Sequence, residues 1–147
     1  MIHRLVPLLL LVVTACGVPE TAVVPTARLV PTPICRETAA GYVDAVRPLF
    51  NEWNDAVQLA TRASRLSLAG PVGDLQELRR RVQAVDVPAC AERAQSTLIK
   101  HMDAIIDAQL GFMAHEDAVV IERHFEESRT SVELFGLLFA ELRSPGH

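Results

Sequence analysis

The chain has 147 residues, with 14 basic against 18 acidic side chains and a formal net charge of −4. This acidic balance argues against nucleic-acid binding, which needs a basic face, and against a polybasic helix lying on a membrane surface. Glycine is sparse, with seven residues, and Ala, Leu, Glu, Arg and Gln dominate the second two-thirds of the chain, which favours helices.

The first residues of the chain have the pattern of an export signal. His3 and Arg4 give a positive start, an apolar run occupies positions 5 to 13, and two small residues, Thr14 and Ala15, precede Cys16. A basic start, an apolar middle and small residues before a cut site are the marks of a secretory signal. The apolar run is too short for a spanning helix, which needs roughly twenty apolar residues. We therefore expect residues 1–15 to be a signal peptide.

The end of this segment, Val13-Thr14-Ala15-Cys16, resembles the lipobox of bacterial lipoproteins. The resemblance implies cleavage after Ala15, diacylglycerol on the sulfur of Cys16 and acylation, for example by palmitate, of the new amino terminus. Two or three acyl chains give stable membrane attachment. The implied location is the outer face of the bacterial cytoplasmic membrane or the outer membrane. An ordinary signal peptide with a cysteine near the cut and a membrane helix are the alternatives.

Residues 16–34 read as a linker between this anchor and a folded domain. Four prolines fall within it, at positions 19, 25, 31 and 33. Repeated proline fixes φ and removes backbone donors, so an extended and partly stiff tether is expected. At about 3 Å per residue, such a tether holds a domain some tens of Å from the membrane.

Two cysteines remain for the folded part, Cys35 and Cys90. In an exported chain a disulfide between them is the default expectation, and two free buried thiols are the alternative. A zinc or redox site would require Cys or His neighbours close in sequence, and neither cysteine has them. The chain-entropy contribution of a loop of this length is roughly 4 kcal/mol.

Residues 35–147 are predicted to form the domain, beginning with one long helix. Apolar residues recur there at spacings of four and three, which marks one face of a helix: Tyr42, Val46, Leu49, Trp53, Ala56, Ala60 and Ala63. Pro48 lies inside the pattern, so we expect a kink at that point or a short helix followed by a second one. Ala69-Gly70-Pro71 is expected to end this element.

Three further helices follow in the periodic pattern. The second has Asp74 as its expected cap, a solvated basic run at 79–81, and four apolar positions: Leu75, Leu78, Val82 and Val85. The third is predicted from Ala89 to Ala114, with one apolar side: Ala91, Ala94, Leu98, Met102, Ile105, Gln109 and Phe112, flanked by Ile106, Leu110 and Met113. The fourth follows the expected cap Asp117 and carries Ile121, Phe125, Ser128, Val132, Phe135, Phe139 and Leu142.

This layout predicts an all-α fold, an antiparallel bundle of about four helices. In an up-down-up-down bundle the first and third helices begin at the same end. Cys35 and Cys90 lie at those two beginnings, so the predicted disulfide fits the predicted topology. With the lipobox, this plan resembles the small helical lipoproteins of bacterial envelopes.

The sequence offers no metal or haem site. A di-iron bundle needs Glu-x-x-His pairs, which are absent from the chain. His101 and His115 share a face of the third helix but lie about four turns apart, too far for one metal ion. We read His115 and His124 as exposed residues near the turn between the third and fourth helices. Only an adventitious metal site is conceivable, from His115 and His124 with Glu116 and Asp117. Met102 falls on the apolar side, where methionine is core filler rather than a haem ligand.

The sequence also lacks a catalytic motif. Asp103 and Asp107 lie one turn apart opposite the apolar side, so we expect an exposed charged face rather than an acid–base pair. No phosphate-binding glycine loop, Gly-x-Ser-x-Gly or His-Glu-x-x-His sequence is present. Ser128 and Ser131 are read as small packing or edge residues. We accordingly predict no catalytic residue, no metal and no cofactor.

Two hypotheses for function follow. The first is a membrane-anchored, non-catalytic interaction module that binds an envelope protein. The alternative is a carrier or sensor of a small apolar ligand or metal in the bundle core, which requires that Ala56, Ala60 and Ala63 leave a slot. The aromatic residues of the first and fourth helices are expected to face each other, with room for a partial groove between them.

Overall fold

The computed structural model describes residues 33–143, with side chains from residue 38 onward. The predicted signal peptide, Cys16, the tether up to residue 32 and Ser144-Pro145-Gly146 lie outside the described residues, as does the side chain of Cys35. Four α-helices are present: α1 (Pro33–Arg62), α2 (Ala69–Gln83), α3 (Glu92–Ala114) and α4 (Ala118–Arg143). Residues 33–143 contain no β-strand. The prediction of an all-α fold with about four helices is confirmed.

Helix α1 is longer and less interrupted than the sequence suggested. It begins at Pro33, two residues before the predicted domain start, and runs through Pro48 to Arg62. Of the two alternatives predicted at Pro48, the break into two helices is therefore wrong. A proline in a helix interior costs about 3 kcal/mol, but the ring of Pro48 is exposed. Val46 and Trp53 on the opposite side are fully buried, and burial of each such side chain contributes about 1.5–3 kcal/mol.

The start of α2 differs most from the prediction. Ala69-Gly70-Pro71, expected to end the first helix, forms the first turn of α2, and Asp74 is an exposed residue within the helix rather than its cap. Proline is tolerated in a first turn because the backbone N–H groups there have no partner within the helix. A one-turn 3₁₀ segment (Arg65–Ser67) joins α1 to α2, and Leu68 after it is fully buried.

The connections around α3 follow the sequence closely. A one-turn 3₁₀ segment (Ala89–Ala91) occupies the start of the predicted third helix, and α3 itself begins at Glu92. At the other end, Asp117 caps α4 as predicted, because its Oδ1 accepts a hydrogen bond from the N–H of Val119 at 2.8 Å. Three residues, positions 115 to 117, separate α3 from α4.

All four helices contribute to one apolar core. Helix α4 packs chiefly along α3 and less along α1, while α2 packs on both α1 and α3. The rings of Phe50 and Phe135 meet edge to face with centroids 5.2 Å apart, which confirms that the aromatic residues of the first and fourth helices face each other. Phe125 is an exception, since it is exposed. The largest fully buried side chains are Trp53, Leu68, Leu75, Leu98, Met102, Val46 and Val82.

Candidate functional site

The predicted site residues are covered only in part by the described residues. Cys16 lies outside them, and Cys35 is described by its backbone alone, in the first turns of α1. Cys90 lies in the 3₁₀ segment before α3, which contacts α1. Cys90 is a disulfide cysteine in this structure. The described side chains do not include its partner, so the pairing with Cys35 stays a prediction.

A buried polar junction joins three helices at His101. The indole N–H of Trp53 on α1 donates to Nε2 of His101 on α3 at 3.2 Å. On the other side of the ring, Nδ1 lies 3.1 Å from the backbone carbonyl oxygen of Ser128 on α4 and 2.8 Å from the Ser128 hydroxyl. Phe50 and Trp53 contact the imidazole edge to face, with centroids 6.4 Å and 6.1 Å away. His101 is thus a buried cross-link between α1, α3 and α4.

The hydrogen bonds fix the tautomer of His101. An indole N–H is only a donor, so Nε2 must be unprotonated to accept from Trp53. The proton of the neutral ring then lies on Nδ1, which donates to Ser128. Burial lowers the pKa of His101, and the hydrogen bond to the Ser128 backbone opposes that shift. The ring is accordingly held in its neutral form.

This junction was not predicted from the sequence. Ser128 was read as a small packing or edge residue, and it is buried but also bonded to His101, which is buried as well. The position of His101 contained a usable signal, because it lies three residues after Leu98 and four before Ile105, inside the buried arc of α3. Nothing in the sequence indicated the bond to Trp53, which lies 48 positions away.

A second buried polar junction joins α1, α2 and α3 at Gln95. The hydroxyl of Tyr42 donates to Oε1 of Gln95 at 2.9 Å, and Nε2 of Gln95 donates to the carbonyl oxygen of Val82 at 2.6 Å. Burial raises the pKa of Tyr42 to about 12, so its hydroxyl stays protonated as a donor. Like the His101 junction, this one satisfies its polar groups within the fold, as buried polar groups require.

The other two histidines lie near the α3–α4 turn. His115 adopts a left-handed conformation at the end of α3, with φ 59° and ψ 35°. Its ring contacts the guanidinium of Arg65, with Nδ1 at 2.6 Å, and that guanidinium also lies 4.5 Å from the centroid of Phe112. His124 is half-buried on α4. Within residues 38–143, no group of three His, Cys, Asp or Glu side chains is placed to hold a metal ion.

An ion pair, Arg79 with Asp103, joins α2 to α3. Arg79 makes a bidentate contact with Asp103, with Nε to Oδ1 at 2.8 Å and Nη2 to Oδ2 at 3.1 Å. The Asp103 side chain is 46% exposed and that of Arg79 26%, so Asp103 lies at the surface as expected, whereas Arg79 is more buried than the predicted solvated face implies. Asp107 is exposed as expected. Bidentate geometry of this kind fixes the orientation of two helices.

Two surface clefts lie on α3 and α4, with volumes of about 260 Å³ and 380 Å³. They are lined mainly by polar and charged side chains, among them Lys100, Asp107 and Glu127. Of the three alanines expected to leave a slot or to pack tightly, Ala60 is buried, and Ala56 and Ala63 are packed against the core.

Large apolar side chains are exposed around the connections between α1 and α2 and between α3 and α4. We call four of them the apolar tip: Leu59 (67% exposed), Leu66 (97%), Phe112 (39%) and Val119 (69%). The contacts of Arg65 with Phe112 and His115 bring the 3₁₀ segment that carries Leu66 against the end of α3. Phe112 and Leu110 were predicted to be on the apolar side of α3, but both are exposed.

Comparison with known proteins adds no assignment to this geometry. No helix in residues 33–143 is long and apolar enough to cross a membrane. The chain matches no family model, no curated protein and no solved structure.

Proposed function

We propose that this protein is an envelope lipoprotein, anchored through Cys16, whose helical domain is a non-catalytic interaction module. The anchor rests on the lipobox-like Val13-Thr14-Ala15-Cys16 after a basic and apolar start. The interaction role rests on one observation, the apolar tip. A leucine that is 97% exposed contributes nothing to the core, and clustered exposed apolar residues are typical of binding surfaces.

The proposal places the apolar tip far from the anchor. The three-residue connection between α3 and α4 and the short connection between α1 and α2 favour antiparallel neighbours, so we take the domain to be an antiparallel bundle. Thirty residues of α1 span roughly 45 Å. The tether would join the domain at the Pro33 end, and the apolar tip would point away from the membrane, toward an envelope protein partner.

The polar groups of the domain support a non-catalytic role. The His101 and Gln95 junctions bond inward between helices, and Arg79 and Asp103 satisfy each other. Asp103 lines a surface cleft, but both of its carboxylate oxygens are already bound by the Arg79 guanidinium. The packed core offers no observation in favour of the alternative, a carrier or sensor of a small apolar ligand or metal.

Site-specific crosslinking in intact envelopes tests the interaction role. A photoreactive residue replaces Leu66 in the apolar tip, and the matched control replaces Leu137, which is 67% exposed on α4 outside the tip. We expect a discrete crosslinked product from position 66 that disappears when Leu59 is also changed to Asp. Equal products from both positions, or none from position 66, would contradict the proposal.

A further inference from the structure

We propose that the junction of Trp53, His101 and Ser128 is an acid-sensitive latch. It holds α1 and α4 on α3 while His101 is neutral, and it releases Trp53 when His101 takes up a proton. This inference is independent of the interaction role, because it concerns the three helices and not the apolar tip.

The geometry leaves no place for a second proton on His101. Protonation occurs at Nε2, the atom that accepts the hydrogen bond from the Trp53 indole at 3.2 Å. The new N–H would point at the indole N–H, so two donors would face each other. In the neutral state the same contact has one donor, the indole N–H, and one acceptor, Nε2. The Nδ1 side is already occupied by Ser128. A charged His101 therefore has to break the bond to Trp53.

No neighbouring charge compensates the protonated ring. In residues 38–143, the hydrogen bonds of His101 go only to Trp53 and Ser128, and neither is an acid. Burying a charge without a partner is costly. The charged and titratable groups within four residues of the junction are Glu52 and Asp55 (α1), Lys100 and Asp103 (α3), and His124, Glu126, Glu127 and Arg129 (α4). Arg79 on α2 pairs with Asp103, and Arg129 pairs with Glu126.

Most of these groups are already paired at the surface. Glu52 pairs with Arg81, Arg79 with Asp103, and Lys100 with Glu127. Asp55 is exposed, and His124 lies one turn before Ser128 on α4. The pKa of His101 is lowered by burial, with only the Ser128 backbone acting against it. Glu52, Asp103 and Glu127 are therefore held by their own cationic partners, and no acid in residues 38–143 is hydrogen-bonded to the ring.

The sign of the pH dependence follows. The pKa of His101 in the folded protein is lowered below the ordinary histidine value of about 6.5. Above about pH 6.5 the latch contributes fully to the stability of the folded form. This contribution is lost as the pH falls from about 6.5 through the lowered pKa of His101. Because one proton is involved, the opening equilibrium constant rises by at most about tenfold per pH unit within this window.

The packing indicates where the domain would open. Helix α4 packs far more extensively on α3 than on α1. Around the junction, α1 meets its neighbours through the Trp53 bond to His101, the edge contacts of the Phe50 and Trp53 rings with the imidazole, and the Phe50 ring against Phe135. Release of Trp53 would loosen α1 from α3 and α4 there, while the α3–α4 pair stays together.

The chain contains one tryptophan, so its fluorescence reports directly on this junction. The intact protein is titrated from pH 7.5 to 4.5, with tryptophan emission and far-UV circular dichroism recorded together. We expect the emission of fully buried Trp53 to shift to longer wavelength below pH 6.5, before helical signal is lost. His101→Gln keeps an acceptor for Trp53 and a donor for Ser128 but does not titrate, so it should abolish the shift.

His124→Gln is the matched control, because it removes another partly buried histidine and should leave the shift unchanged. The latch is overturned if His101→Gln keeps the wild-type transition, if the wild-type emission stays constant over this range, or if it changes only together with the loss of helix. Should His101→Gln fail to fold, NMR of the wild-type protein decides. The Trp53 indole N–H resonance must move with the same midpoint as the His101 ring, and protonation of the ring with no indole response would overturn the proposal.

Discussion

His115 allows a quantitative test of how α3 ends. The N–H of Glu116 bonds to the carbonyl of Gly111 at 3.0 Å, and the N–H of His115 bonds to that of Phe112 at 3.5 Å. Together with φ 59° at His115, these bonds form a Schellman motif, in which the left-handed position strongly favours glycine. His115 is the one non-glycine residue with positive φ in residues 33–143.

We therefore predict that His115→Gly stabilises the domain. The left-handed conformation costs an L-residue about 1–2 kcal/mol, and glycine removes this cost. Glycine also has greater freedom in the unfolded chain, which offsets about 0.4–1 kcal/mol of the resulting stabilisation. The exposed contact with Arg65 contributes less than about 1 kcal/mol. The net expectation is a gain of about 0.5 kcal/mol over wild type, and about 1 kcal/mol over His115→Ala, which keeps the strain and loses the contact.

Denaturant unfolding at neutral pH, followed by circular dichroism, measures these differences. The comparison of His115→Gly with His115→Ala isolates the backbone conformation, because both variants lack the Arg65 contact. The comparison of His115→Ala with wild type isolates that contact. If the alanine variant is as stable as the glycine variant, the positive φ carries no cost and the reasoning is refuted.

Three further predictions concern α1, the α2–α3 contact and the disulfide. Pro48→Ala restores a backbone donor inside α1 and should raise the free energy of unfolding by about 1–3 kcal/mol; an unchanged or lower value would contradict the continuous helix. A double-mutant cycle on Arg79 and Asp103 should give a coupling of about 0.5–1 kcal/mol, and additive single effects would mean that the bidentate contact is not formed in solution. Reduction and alkylation should lower the melting temperature sharply, because a Cys35–Cys90 bridge contributes up to roughly 4 kcal/mol, and an unchanged melt would count against the bridge.

The helices could be predicted from the sequence because their apolar periodicity is strong. The buried positions of α2, Leu75, Leu78 and Val82, and the cap at Asp117 depend on local pattern, and the structure confirms them. Helix ends were harder. Ala69-Gly70-Pro71 can end one helix or begin another, and only the tertiary burial of Leu68 before it decides between them.

The polar junctions could not be predicted for a different reason. A hydrogen bond such as that between Trp53 and His101 joins residues 48 positions apart, and no local pattern reports such a distance. The same holds for Arg79 and Asp103, each of which looks like an ordinary surface charge within its own helix. Phe112 shows the opposite case, a residue predicted to be in the core that is exposed. Its position fits the periodic apolar side of α3, but its ring lies beyond the edge of the core.

The central claim is that the helical domain is held at a membrane through Cys16, and intact-mass analysis of the protein extracted from envelopes tests it most directly. We predict that the mature chain begins at Cys16 and carries the mass of a diacylglyceryl group, with or without a further acyl chain on its amino terminus. The same mass should be two hydrogens below that of the fully reduced chain. A chain that retains residues 1–15, or one that begins at Cys16 without lipid, would contradict the claim.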